Sequence, residues 1–162
     1  MRIGGRRLGV VVAVLLLVLG LALGGVAFLR WKAAGVAHAV TPPAGAVAPT
    51  PDGPRFPRDV IDRAGIVAFG LRNDRGDATV RMYALPSGSP WLQARKVVAT
   101  QLDHWEQLGD CADDADAVIV ECAWREPTRW WPRKVVLTMM RTAAADGGRS
   151  RSIYVVIGSG LG

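Results

Sequence analysis

The chain has 162 residues, half of them hydrophobic, and a formal charge of +6, enough for one domain with an apolar segment and too short for two domains with full cores. The charge is uneven: residues 1–51 hold five basic groups and no acidic one, while residues 52–162 hold fifteen basic and fourteen acidic groups, a net of +1. A near-neutral domain lacks the field that draws a phosphate backbone, so nucleic acid is set aside as a partner.

Leu8 to Leu29 is a run of twenty-two uncharged residues, fifteen of them Leu, Val or Phe. As a helix it reaches roughly 33 Å, enough to cross a hydrocarbon core of about 30 Å. Arg6 and Arg7 stop one end; Arg30, Trp31 and Lys32 stop the other, with Trp31 as the aromatic residue expected at a membrane–water interface. We therefore expect residues 1–7 in the cytoplasm, a transmembrane helix over 8–29 in contact with lipid, and the rest of the chain outside the cytoplasm, because three arginines lie before the run and only Arg30 and Lys32 directly after it. The alternative is a signal peptide cut after Ala39, but the run is longer than such segments and Arg30 and Lys32 separate it from that site. Gly20 and Gly24 share the spacing that lets two membrane helices pack closely; a homodimer through them has no further support.

Residues 30–54 read as a linker rich in Pro and Ala. Its five prolines forbid a continuous helix and favour polyproline II, at about 3.1 Å per residue, so the segment could hold the domain roughly 60–70 Å from a bilayer. His38 lies here with no partner nearby in sequence and is expected in solvent.

Residues 55–162 carry the mixed signals of an α+β domain. A helical turn is expected over 57–64, a strand over 66–71, a turn over 73–77 and a strand over 79–85. The main helix is placed at about 89–108. Ser89 would be its cap, Pro90 its first residue, Ala94, Val98, Leu102, Trp105 and Leu108 its apolar stripe, and Gly109 its left-handed end. Strands follow at 117–124, 133–141 and 152–157, joined by loops short enough for antiparallel hairpins. The architecture that results is an antiparallel sheet of four or five strands with the 89–108 helix packed on one face.

Cys111 and Cys122 flank a ten-residue gap after that helix. A disulfide would staple the helix end to the sheet and suits an oxidising compartment. The pair has neither the further ligands of a zinc site nor the spacing of a redox motif.

Other clusters have simpler readings than their chemistry suggests. Residues 156–162 start like a dinucleotide-binding loop but no helix follows, so the glycines read as a flexible tail. Asp110, Asp113, Asp114, Asp116 and Glu121 resemble a calcium loop, but alanines stand at a ligand position and at the obligatory glycine. His104 has no nucleophile motif to join it. No metal or cofactor is assigned.

The most distinctive stretch is 124–134, with three tryptophans and four basic residues around two prolines. It should form a hairpin loop whose flat apolar faces and guanidinium groups could hold a protein or a glycan of the cell envelope. The candidate binding residues are Trp124, Arg125, Arg129, Trp130, Trp131 and Arg133. With no catalytic motif, the reading is a membrane-tethered binding or accessory domain of a bacterial cell envelope. The alternatives are a hydrolase of envelope polymers acting through paired carboxylates and a structural subunit of a membrane complex.

Overall fold

The structure is a computed structural model, and it describes residues 4–51, 53, 55–71, 78–114, 116–142 and 151–161. The turn expected at 73–77 lies outside them. The chain divides into two compact units, Met1–Ala33 and Ala34–Gly162.

The first unit is built on one helix, α1 (Gly4–Ala34). Its stretch Leu8–Ala34 reaches a mean hydropathy of 2.9 over 18 residues and is long and apolar enough to cross a membrane. Phe28 and Trp31 stack near its end with ring centroids 5.9 Å apart, and the Lys32 ammonium lies over the Phe28 ring.

The second unit has an α+β fold. Its elements run α2 (Arg58–Leu71), β1 (Thr79–Leu85), α3 (Trp91–Ala99), β2 (Glu106–Leu108), β3 (Ile119–Arg125), β4 (Arg133–Thr142) and β5 (Ser152–Leu161). The strands form one antiparallel sheet in the order β1-β5-β4-β3-β2. The two longest strands, β4 and β5, lie side by side at the centre and are almost wholly buried.

A helix covers each face of the sheet. On one face Trp91, Ala94 and Val98 of α3 join Val135, Leu137, Met139, Val155 and Ile157. On the other, Val60, Ala64, Val67 and Leu71 of α2 join Val136, Met140, Tyr154 and Val156. The strand expected over 66–71 is thus the second half of α2. Its run Ile66-Val67-Ala68-Phe69 looks continuous, but only Val67 of the four is buried, and it continues the three- and four-residue spacing from Val60 through Ala64 to Leu71.

The main helix is shorter than expected. Pro90 is its N-cap without a side-chain cap bond, and the Ser89 hydroxyl donates to Pro86 O instead. It ends at Thr100, and tight turns carry the chain to β2, which pairs with residues 123–125 of β3. Leu102 stays buried and Trp105 half-buried, so the apolar positions reach the core without helical geometry. Gly109 is left-handed at φ 79°, ending β2 rather than a helix, and Cys111 follows at φ 51°. Cys111 and Cys122 are paired as a disulfide with Cα atoms 4.9 Å apart. Trp91 Nε1–H and Arg95 Nη1 both donate to the Cys111 carbonyl.

Residues 34–47 do not form an extended spacer. Thr41 exchanges backbone N–H and C=O bonds with the Gln101 side chain, at 2.8 and 3.1 Å, and Val40 and Ala46 pack on the α3-side core. Val47 makes both bonds of an antiparallel bridge to Ala84 of β1. The next edge-facing positions opposite Met82 and Val80 would be Pro49 and Pro51. Neither has an N–H, so pairing stops after one bridge.

Gly158 and Gly160 are also not part of a tail. They lie within β5 beneath α2. A Cβ at Gly158 would stand 2.5 Å from Val67 Cγ1, and one at Gly160 would stand 2.7 Å from the Leu71 carbonyl oxygen. The bare backbone lets the helix approach the sheet this closely.

Candidate functional site

β3 and β4 are joined by residues 126–132, which make the hairpin tip the sequence suggested. Its base is fixed by one carboxylate. Arg133 Nε and Nη2 donate to Glu126 Oε2 and Oε1, each at 3.1 Å, a bidentate pair with both side chains largely buried. Glu126 N–H also donates to Arg133 O. The guanidinium lies over the Trp105 ring, 5.6 Å from its centroid. Pro132 is buried.

Above this base the tip is exposed. Thr128 N–H donates to Glu126 O, and Trp130 N–H to Thr128 Oγ1. Trp131 is left-handed at φ 50°, a conformation costing a non-glycine residue about 1–2 kcal/mol. The Trp130 and Trp131 rings meet edge to face, with centroids 6.2 Å apart, and are 51% and 37% exposed. Arg125, Pro127 and Arg129 are exposed around them.

The structure brings Arg125, Arg129, Trp130 and Trp131 to one end of the sheet, with Arg133 beneath. Trp124 does not belong with them. It is 2% exposed in the α3-side core, one pleat along from Cys122. Strict alternation of Val120, Cys122 and Trp124 on one face against Glu121, Ala123 and Arg125 on the other would have placed it with Cys122. Gly20 and Gly24 lie on α1 with nothing near their Cβ positions.

His38, expected in solvent, is built into this end of the domain. Its backbone N–H donates to Ser159 Oγ at 2.8 Å, and its ring lies 5.0 Å from that of Trp105. Burial and then the Arg133 guanidinium hold its pKa below the usual 6.5, against the opposing pull of Glu126. A cavity of about 110 Å³ lies alongside, lined by residues 37–40 with Thr79, Arg81, Ile157 and Ser159. No local signal foretells this, because the partners of His38 lie 67 to 121 residues away in sequence.

The acidic stretch is a loop held by Arg141, whose guanidinium donates to Asp113 Oδ1 and to the carbonyls of Asp114 and Ala117. Asp114 Oδ1 accepts from the N–H groups of Asp116 and Ala117. Glu121 points to the other face, where it accepts from Thr138 Oγ1 and pairs with Arg63. The cavity beside it, lined also by Lys134 and Leu71, holds that one carboxylate. His104 is exposed in the turn after α3, with Nε2 3.5 Å from Asp103.

What the hairpin end offers chemically is contact. Its tryptophan faces and guanidinium groups can hold an apolar or anionic surface, and the Glu126–Arg133 base fixes their position. Compared with protein-family models, curated proteins and solved structures, the chain finds no match in any of the three.

Proposed function

We propose that this chain is a single-pass, membrane-anchored binding module of a bacterial cell envelope. Its domain lies outside the cytoplasm and makes contact through Arg125, Arg129, Trp130 and Trp131. The observation that carries this reading is a pair of exposed tryptophans on a tip whose base is fixed by a bidentate ion pair. A tip evolved only for solubility has no need of two large exposed rings.

The anchor rests on α1, and the sidedness on the arginines before it and the disulfide after it. Crosslinking in intact cells tests the contact surface. Replacing Arg129, Trp130 and Trp131 together by Ala should abolish the captured products while leaving the circular dichroism of the domain intact. Unchanged products would refute the assignment. Recovery of the uncut chain in a soluble fraction without detergent would refute the anchor.

A further inference from the structure

We infer that the partner of the hairpin tip is the bilayer in which the chain's own anchor sits: Trp130 and Trp131 lie at the membrane–water interface, with Arg129 at lipid phosphate. This deepens the reading above and rests on it, both for the anchor and for the tip as the contact surface.

The argument begins with chain length. The apolar run ends at Trp31 and Lys32, residue types that mark the interface. His38 is already bonded to Ser159 in the domain. Six residues span at most about 22 Å, a covalent bound that holds whatever angle the helix and the domain adopt. The spacer of 60–70 Å that would have carried the domain clear of the lipid does not form, because His38 and Val47 are bonded to the sheet and Thr41 to Gln101 after α3.

The second step is the end of the sheet to which the chain comes. Ser159 pairs with Val135 of β4, and Val47 bridges Ala84, toward the opposite end of β1. The chain therefore arrives from the end that carries the β3–β4 tip. From Val135 the strand runs back to Arg133, about 7 Å further in that direction, and the tip of residues 126–132 lies beyond it. His38 itself touches Trp105, on which Arg133 at the foot of the tip is stacked. The tip and the tether thus share one end of the domain.

The third step is chemistry. An indole ring has an apolar body and one N–H donor, which suits the interface better than either bulk water or hydrocarbon. Exposed Arg125 and Arg129 add charge of the sign that lipid phosphates attract. Weak affinity suffices, since a tether this short makes the encounter intramolecular.

The test uses the full chain reconstituted in vesicles of phosphatidylcholine and phosphatidylglycerol whose acyl chains are brominated near the headgroup. Trp31→Phe removes the tryptophan of the anchor from the signal. Emission of that protein should be quenched relative to unbrominated vesicles, and adding Trp130→Ala and Trp131→Ala should remove the quenching. Absence of quenching in the Trp31→Phe protein overturns the inference without relying on any change in the tip. Quenching that survives the tip substitutions overturns it equally. If quenching is absent while crosslinked products still depend on the tip, the tip remains a contact surface and only its lipid partner is lost. If neither responds to the tip, both readings fall.

Discussion

The backbone N–H of His38 donates to the hydroxyl oxygen of Ser159, joining residues 121 positions apart in sequence. Ser159 is almost wholly buried in β5, so the acceptor sits on a rigid strand and the donor on a segment without regular structure. Replacing Ser159 by Ala leaves that N–H without its partner. We expect a loss of about 1 kcal/mol in domain stability and faster proteolytic cutting within residues 34–47. Urea unfolding and limited proteolysis read the two effects. Cutting at the parental rate would mean that Thr41 and Val47 hold the segment by themselves.

The same histidine makes the domain sensitive to acid. Its pKa is held below 6.5 by burial and by Arg133, so the unfolded chain binds the proton first. Stability then rises with pH through this range. The contribution is complete above 6.5 and is lost as pH falls from there through the folded-state value. Between about pH 8 and about pH 5 the parent should lose more stability than His38→Gln does. Thermal unfolding at several pH values checks the difference, and parallel curves would refute the assignment.

How much was legible depended on whether the deciding partner was local. β1 was readable at its full length because turn residues bound it on both sides. The hairpin of β3 and β4 was readable because Pro127 and Pro132 interrupt two apolar runs. Residues 100–105 misled because Leu102, Trp105 and Leu108 continue a helical spacing, yet backbone pairing with β3 draws residues 106–108 into the sheet. The tip tryptophans were legible as a cluster. Trp105, Glu126 and His38, which gather about Arg133 at the foot of the tip, were not, since sheet register and the path of the 34–47 segment bring them together.

Gly158 and Gly160 separate two ways of crowding α2. A Cβ at Gly158 meets side-chain atoms alone, of Val67, Leu71 and Val80, which can give way; at Gly160 it meets backbone, the Leu71 carbonyl oxygen and Ala78 Cα, together with Leu71 Cβ. We expect Gly160→Ala to destabilise the domain by about 1–3 kcal/mol and Gly158→Ala by less. Chemical denaturation of both variants tests the order, and the reverse ranking would place the closest backbone approach elsewhere.

The disulfide closes a short loop, Cys111 to Cys122, and its effect on the unfolded chain is worth roughly 2.5–3 kcal/mol by loop entropy. Reduction should lower the unfolding midpoint while the sheet persists, because both sulfurs lie within a core that α3 and Trp124 continue to fill. Mass-resolved alkylation should find both thiols blocked until reductant is added. Labelling of the native, unreduced domain would show that the pair is not joined.

Arg133 serves three neighbours: it grips Glu126 with two nitrogens, covers Trp105, and helps to keep His38 neutral. A lysine supplies one point charge in place of the planar fork and cannot stack in the same way. Arg133→Lys should therefore cost about 1.5–3 kcal/mol through the loss of charge-assisted bonds to Glu126. Arg133→Met should cost more, because it leaves the Glu126 carboxylate largely buried with no cation against it. Arg133→Met should also raise the His38 pKa, since a positive neighbour is gone and Glu126 remains. Imidazole titration by NMR reads that shift independently of stability. An unmoved His38 titration would show that burial alone sets its protonation.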